Sequence, residues 1–390
     1  MLRVFALVSL VMLLISGCGG QITGSADSQG EKVVKVGVLE PLTGAIAETG
    51  NWVANGVKLA IENINNSGGI TINGEKYKIK PIIYDTATKI NEAMNGINKL
   101  VSQDKVKFVL GTMLTDQTAA IMQVAEPNKV LVISSVSAGD KLTKQGWKYF
   151  FRAAPYNNMS IDTAIDVCTR MNKKKIAMLV SNDAWGKSYV SLFPPAMEKA
   201  GIEVVGIEYY ELHQADYSTT LNKIKSLNPE LVILGARTDN AVAIFQQAMQ
   251  IMPDIPLYEQ GGAIPEKVLE ALGPEKANHL FFASRNGPEG EEVAKFKEQY
   301  KKKFGEEPFS FSYSGYDSVY ILAAALEKAG TIEDTDKVRE AMLSLKYKGL
   351  IGDYSFQPNG EVNLRGAIAY IEDGKVIRQW ADQPLPEWLK

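Results

Sequence analysis

Short apolar segments alternate with amphipathic segments along almost the whole chain. The segment "VVKVGVLE" precedes a helix predicted for residues 51–66, and "KIKPIIYD" precedes one predicted for residues 92–102. "VKFVLG" and "VLVISS" continue the pattern, with a helix predicted for residues 116–126 between them. Regular alternation of strands and helices predicts parallel strand pairing through right-handed crossovers.

A second group of alternating segments begins near Lys174. "KKIAMLVSND" leads into a helix near Gly186, and "VVGIEYY", "LVILGA", "IPLYEQ" and "HLFFAS" follow as strands. Their apolar runs are nearly continuous, which is typical of strands covered on both faces. Residues 34–65 and 174–200 share one unit: a strand, a polar loop with glycine and a long helix. The pattern predicts an α/β protein with two doubly wound parallel-sheet lobes.

The pattern becomes helical after Ser284 and changes again near the C-terminus. "EEVAKFKEQYKKKFG", "SYSGYDSVYILAAALEKAG" and "DKVREAMLSLKY" predict three helices. "GDYSFQPNGEV" and "AIAYIEDGKVIRQW" contain Pro-Asn-Gly and Asp-Gly turns between apolar residues, which predicts two hairpins.

The first 18 residues have the pattern of a secretory signal: Arg3, an apolar run over residues 4–15 and a small-residue site before Cys18. The run is shorter than the roughly 20 residues that span a bilayer. "ISGC" resembles a bacterial lipobox, in which the cysteine is diacylated; the alternative is an ordinary signal peptide containing a cysteine. Residues 19–31 predict a flexible tether. We therefore expect an exported protein, in the periplasm or on the outer face of the cytoplasmic membrane, anchored by lipid at Cys18.

Composition excludes several classes of protein. The 390 residues are 45% hydrophobic and 22% charged, and the length fits two domains. A net charge of -3 gives no footprint for nucleic acid. Only Cys18 and Cys168 are present, so lipidation of Cys18 would exclude an intramolecular disulfide. Cys168 lies in an apolar helical pattern that predicts a buried thiol.

Catalytic, metal and cofactor motifs are not found. His213 and His279 lack the spacing of a zinc site, and neither a G-x-S-x-G elbow nor a G-x-x-x-x-G-K-[ST] loop occurs. Gly44 and Gly50 are too far apart for the dinucleotide fingerprint. We expect no enzyme, no cofactor and no bound metal.

Three polar loops at strand ends are the candidate binding elements. Thr115 in "GTMLTDQT" is placed to cap a helix, whose free N–H groups and dipole favour an anion such as a carboxylate. A simple helix cap is the alternative. "ISSVSAGD" is a small-residue loop that lets a ligand approach its backbone. "SNDAWGKS" places Trp185 on the matching loop of the second lobe, where a packing role is the alternative.

From about Val33 to Lys390 the chain resembles the extracytoplasmic solute-binding proteins of ABC importers, closest to the leucine/isoleucine/valine-binding family with the type I periplasmic binding fold. The resemblance implies two lobes that close on a solute, joined by a three-segment hinge. It places the crossings near Arg152-Ala153, Ala283-Ser284 and Tyr347. Lobe one would comprise 32–152 plus 284–346, and lobe two 153–283 plus 347–390. The motifs that carry the resemblance are "VGVLEPLTGAIAETGNWVANGVKLAIENINNSGGI", "YDTATKINEAMNGINKLV", "VLGTMLTDQTAAIMQVAEPNKVLVISSVSA", "YFFRAAP" and "DAWGKSY".

The resemblance also implies a set of ligand contacts. The family's amino acid binders hold the ligand carboxylate with a hydroxyl and backbone N–H groups on lobe one. These correspond here to Thr115 and to Val136, Ser137 and Ala138. Trp185 stands where the family carries an aromatic wall residue.

The remaining positions depart from the family pattern. Arg237 stands where a tyrosine is common, and it would repel an ammonium and attract an acid; a solvent-facing or salt-bridged role is the alternative. Gln260 and Gly261 stand where the family has an acid, with Glu259 one position earlier. Thr49 replaces a tyrosine that often covers the ligand.

The resemblance predicts a solute receptor that docks on a membrane permease and ATPase complex. Branched-chain or other amino acids come first as solutes, and a carboxylic or aromatic acid comes second because of Arg237 and Trp185. A ligand-sensing partner of a signalling receptor is an alternative from another class, and an amidase-like enzyme on the same fold is a third.

Overall fold

The computed structural model describes residues 31–182, 184–211, 214–236 and 238–389. Cys18, the expected lipid attachment site, and Arg237 lie outside these ranges. Among the described residues, none of the helices combines the length and the apolar character that crossing a bilayer requires.

The first group of alternating segments forms a six-stranded sheet in the order β2-β3-β1-β4-β5-β6. Four neighbouring pairs are parallel, and the edge strand β2 is antiparallel to β3. The parallel pairs confirm the arrangement that the sequence pattern predicts. The elements are β1 Val33–Glu40, α1 Ala47–Asn66, β2 Ile70–Ile72, β3 Glu75–Asp85, α2 Ile90–Ser102, β4 Phe108–Gly111, α3 Thr115–Ala125, β5 Leu131–Ser134 and β6 Phe150–Arg152.

The second group supplies five parallel strands of another sheet and the helices that connect them. Cys168 is fully buried in this half of the molecule, as its apolar pattern predicts. The elements are α4 Asn157–Arg170, β7 Lys175–Ser181, α5 Ala184–Lys199, β8 Glu203–Tyr210, α6 Ser218–Ser226, β9 Leu231–Gly235, α7 Thr238–Ile251, β10 Leu257–Glu259, α8 Pro265–Ala277 and β11 Phe281–Ser284.

The C-terminal part is divided between the two halves. Its last two strands pair antiparallel with β11 and with each other, which completes the seven-stranded order β16-β15-β11-β10-β9-β7-β8. The three helices and a small three-stranded sheet pack with the core of the first sheet. The elements are α9 Glu291–Phe304, α10 Ser310–Ala329, α11 Thr335–Leu343, β12 Tyr347–Lys348, β13 Asp353–Phe356, β14 Val362–Asn363, β15 Ala367–Glu372 and β16 Lys375–Trp380.

The boundary expected near Tyr347 does not match this packing. Ile351, Phe356 and Val362 belong to the apolar cluster under the first sheet. The buried carboxylate of Asp317 holds this segment there, because it accepts the backbone N–H groups of Leu350 and Ile351 at 2.9 and 3.1 Å. We therefore propose that the third crossing lies at residues 365–366.

Helices α1 and α10 approach each other at backbone distance. A Cβ added at Gly56 would lie 2.0 Å from the carbonyl oxygen of Ser312, and one at Gly315 would lie 2.3 Å from that of Val53. Only glycine at these two positions permits so close a contact. The pair fixes α10 against the helix that starts at the end of β1.

Candidate functional site

The loops that follow β4 and β5 meet at one edge of the first sheet, as parallel strands require. A buried network of hydroxyl groups joins them. The carbonyl oxygen of Thr112 accepts from the hydroxyls of Ser134 at 2.9 Å, Ser137 at 2.7 Å and Thr118 at 3.1 Å. Since all four residues are buried, each bond replaces hydration that the group has lost, and the two loops are held as one surface.

Arg152, at the end of β6, holds the second of these loops from below. Its guanidinium donates to the carbonyl oxygens of Ser137 and Gly139, and its Nε lies 2.8 Å from a carboxylate oxygen of Glu361. The Arg152 side chain is 0% exposed and that of Glu361 is 7% exposed, so the pair is desolvated. The hydroxyl of Thr143 donates to the other Glu361 oxygen at 2.8 Å.

The structure brings together the four lobe-one residues that the sequence predicts as ligand contacts. Thr115 begins α3, and its side chain lies against Gly139, where an added Cβ would be 2.4 Å from the threonine Cγ2. The N–H of Ser137 donates to the Ser134 hydroxyl at 3.1 Å and is therefore engaged.

Two backbone donors of this loop remain available. Within the described part of the chain, the N–H groups of Val136 and Ala138 have no protein acceptor. Together with the helix N-terminus at Thr115 they form a surface suited to a carboxylate.

The loop after β1 is held by an acidic residue at the end of β3. The Asp85 carboxylate accepts the N–H groups of Leu42 at 2.8 Å and Ala87 at 2.7 Å. These bonds lower the pKa of Asp85 in opposition to partial burial, which raises it. Thr49, predicted at the rim, is half-buried in the first turn of α1.

Glu259 in the second half does not present a free acid. It is 0% exposed at the end of β10, and its carboxylate accepts the N–H groups of Gly261 at 2.9 Å and Gly262 at 3.0 Å. Gln260 is also buried; its amide donates to the Ser160 carbonyl at 2.6 Å, and its Oε1 has no partner among the described residues.

Burial raises the pKa of Glu259 to about 7, whereas the backbone N–H groups of Gly261 and its neighbours lower it less. The unfolded chain loses this proton near 4.5, so the folded state holds more protons between these values and its stability falls as pH rises. We expect Glu259 to contribute a loss of about 2 kcal/mol of unfolding free energy between pH 5 and pH 7. Urea unfolding of wild type and of Glu259→Gln at pH 5 and pH 7 measures this loss, because the glutamine of the variant does not titrate. Parallel pH profiles would contradict the expectation.

The other predicted contacts of the second half cannot be placed. Trp185 belongs to the first turn of α5, and its side chain lies outside the described part of the structure. Arg237 lies outside the described residues. Within the described ranges, no three His, Cys, Asp or Glu side chains group as metal ligands.

Lys267 of α8 connects the two halves. Its ammonium lies 3.7 Å from a carboxylate oxygen of Glu48, and 5.3 and 4.9 Å from the ring centroids of Trp52 and Phe309. The two rings pack with centroids 4.4 Å apart. Because α1 follows β1 and α8 follows β10, this contact shows that the carboxyl ends of the two sheets face each other.

The sequence matches a family model and related proteins over most of its length. A family model described as periplasmic binding protein matches residues 33–375. Leu/Ile/Val-binding protein homolog 3 of Brucella melitensis is 27% identical over 347 residues, covering 88% of this chain and 93% of the relative.

Two solved structures share the fold. One is a branched-chain amino acid transporter substrate-binding protein from Streptococcus pneumoniae in complex with isoleucine, at 24% identity and a TM-score of 0.73, covering 90% of this chain and 99% of the other. The other is a solute-binding protein of an ABC transporter from R. palustris in complex with benzoate, at 19% identity and a TM-score of 0.72, covering 91% and 98%.

Proposed function

The chain belongs to the periplasmic binding protein family, and from this premise we propose that it serves an ABC transporter by capturing a small carboxylate-bearing solute between its lobes. The solute is an amino acid or a carboxylic acid, and its carboxylate binds the surface formed by Thr115, Val136 and Ala138. Solute held between the lobes favours the closed state, which docks on the permease and ATPase complex. Diacylation of Cys18 anchors the exported protein to the membrane.

The observation that carries this proposal is the pair of loops after β4 and β5. Their hydroxyl groups, carbonyl groups and the guanidinium of Arg152 satisfy one another below the surface. The N–H groups of Val136 and Ala138 and the start of α3 are left without protein acceptors among the described residues. A preformed set of N–H donors at a helix N-terminus favours an anion over a neutral group.

Calorimetric titration of the mature protein tests the proposal. Leucine, valine, benzoate and hydroxylated benzoates are the probes, because the structures with the same fold hold isoleucine and benzoate. Binding of at least one is expected, and binding of none by a protein that unfolds cooperatively would contradict it. The mass of the membrane-extracted protein tests the anchor, since a chain starting at a diacylated Cys18 is expected.

Gly139→Ala is expected to weaken solute binding tenfold or more, because misplacing a binding group by about 1 Å is costly. The added Cβ would lie 2.4 Å from the Thr115 Cγ2, so the Thr115 side chain or the start of α3 must move. Titration with the best-bound probe measures the loss.

A second substitution separates this clash from other causes. The double variant Gly139→Ala with Thr115→Ser lacks the methyl group that clashes and keeps the hydroxyl. Most of the affinity is expected to return. Equal losses in the single and double variants would show that Thr115 and Gly139 do not shape the binding surface.

A further inference from the structure

Arg285 occupies the segment that leads from the second sheet back to the first half. It follows β11 directly and is half-buried. Its Nε donates to the carbonyl oxygen of Gly261 at 3.3 Å, and its guanidinium carbon lies 5.3 Å from the ring centroid of Phe311 in the first turn of α10. The side chain therefore lies between the loop after β10 and the first half.

The charge of Arg285 has no direct counterion in the described part of the chain. No described carboxylate oxygen lies within 4.0 Å of it, whereas Arg152 and Arg378 have partners at 2.8 and 2.6 Å. Burial lowers the pKa of Arg285, and only longer-range attraction from Tyr189 and Glu259 opposes this effect. The only acceptor of the half-buried guanidinium among the described residues is the one bound by Nε, so its terminal nitrogens are available to an anion.

A small cavity adjoins the Arg285 guanidinium. Its volume is about 40 Å³, and it is lined by residues 261–265, 283–285 and 309–311 and by Arg378, whose charge is paired with Glu266 at 2.6 Å. A single water needs about 10–15 Å³ of such space, so the cavity can take a small polar group such as a carboxylate. Phe309 packs on Trp52, which lies one helical turn after Thr49, so the cavity is next to the first turn of α1.

We propose that Arg285 binds a second acidic group of the solute, so that the solute class is a diacid. This inference rests on the proposed function. One carboxylate binds the N–H groups at Thr115, Val136 and Ala138, and the other enters the cavity beside Arg285. The planar guanidinium can donate two parallel hydrogen bonds to a carboxylate there, which an uncharged amide cannot accept equally well.

Matched pairs of probes test the second acid, because each pair differs only in one carboxylate replaced by its amide. The pairs are glutarate and glutaramate, glutamate and glutamine, and terephthalate and 4-carbamoylbenzoate. Wild type is expected to bind at least one diacid tenfold or more tighter than its monoamide. Arg285→Gln is expected to remove this preference and to leave the monoamide affinity within about twofold.

Two variants serve as controls. Arg285→Lys keeps the charge and is expected to retain part of the preference. Lys301→Gln removes an exposed lysine of α9 that pairs with Glu307 and is expected to leave both affinities unchanged.

The outcomes separate this inference from the proposed function. Binding of monoacids or leucine without any preference for diacids would overturn the inference and leave the solute-binding function in place. Equal weakening of diacid and monoamide by Arg285→Gln would also overturn it, because the residue would then support the fold. Binding of none of the probes, leucine and benzoate included, would overturn both.

Discussion

Arg152→Met is expected to lower the free energy of unfolding by about 3–5 kcal/mol, the cost of breaking a buried ion pair by removing one partner. The substitution leaves the Glu361 carboxylate desolvated, with only the Thr143 hydroxyl and neighbouring backbone as partners. It also leaves the carbonyl oxygens of Ser137 and Gly139 without the donor that they share. Urea denaturation followed by circular dichroism measures the loss.

The double variant Arg152→Met with Glu361→Gln separates the ion pair from the carbonyl contacts. Removing both charges abolishes the uncompensated carboxylate, so part of the stability is expected to return. Solute affinity is expected to stay low in both variants, because the loop carrying Val136 and Ala138 lacks its support. A single variant within 1 kcal/mol of wild type would contradict a structural role for Arg152.

Gly56→Ala is expected to destabilise the protein by about 3 kcal/mol or more, since overpacking against backbone cannot be relieved by a rotamer change. The added Cβ would lie 2.0 Å from the Ser312 carbonyl oxygen, so α1 and α10 must separate. The higher helix propensity of alanine returns only about 1 kcal/mol. The midpoint of urea unfolding measures the difference.

Gly290→Ala is the matched control for this substitution. An added Cβ at Gly290 meets no atom within 4 Å, and its φ of -164° is ordinary extended backbone. It is expected to cost no more than about 1 kcal/mol, because alanine caps a helix N-terminus less well than glycine and no clash is added. Similar effects of the two substitutions would mean that the close approach of α1 and α10 is not what Gly56 provides.

The sequence predicts the two parallel sheets because buried parallel strands need continuous apolar runs, and such runs are visible in "VVKVGVLE" and "LVILGA". The family resemblance groups Thr115 with Val136 and Ala138, and the structure has them on the loops at the carboxyl ends of the adjacent strands β4 and β5. The structure adds the Gly139 contact that positions Thr115, which residue types alone do not indicate.

The interactions that support the site are long-range, and a local pattern does not reveal them. Glu361 lies 218 positions from its partner Thr143 and stands after a predicted turn, where an acid ordinarily faces solvent. Asp85 and Glu259 carry one usable signal, because each carboxylate ends a strand, which is half-buried for Asp85 and buried for Glu259. That signal predicts a functional position, but whether the oxygens bind a ligand or nearby N–H groups depends on the loop conformation.

The hairpin after Tyr347 shows the same limit. Its turn residues predict the hairpin itself. The apolar pattern does not determine whether the hairpin packs on the core of the first sheet or on that of the second, because both cores are apolar. The selection comes from Asp317, whose carboxylate is desolvated on α10 and binds the N–H groups of Leu350 and Ile351. A buried acid in a helix is thus a signal for backbone capture that the apolar pattern obscures.

The contact of Lys267 with Glu48, Trp52 and Phe309 is made by protein groups alone and stabilises the apposition of the two lobes. It therefore sets a resting balance between apposed and separated lobes, and each 1.4 kcal/mol of such contact raises the apposed population of the empty receptor tenfold. The free energy that this contact contributes to lobe apposition is then the same for every solute and is included in each measured affinity. Selectivity among solutes comes only from the contacts that differ between solutes. A transporter that recognises the apposed lobes would also meet solute-free receptors in that state, in a proportion that depends on Lys267.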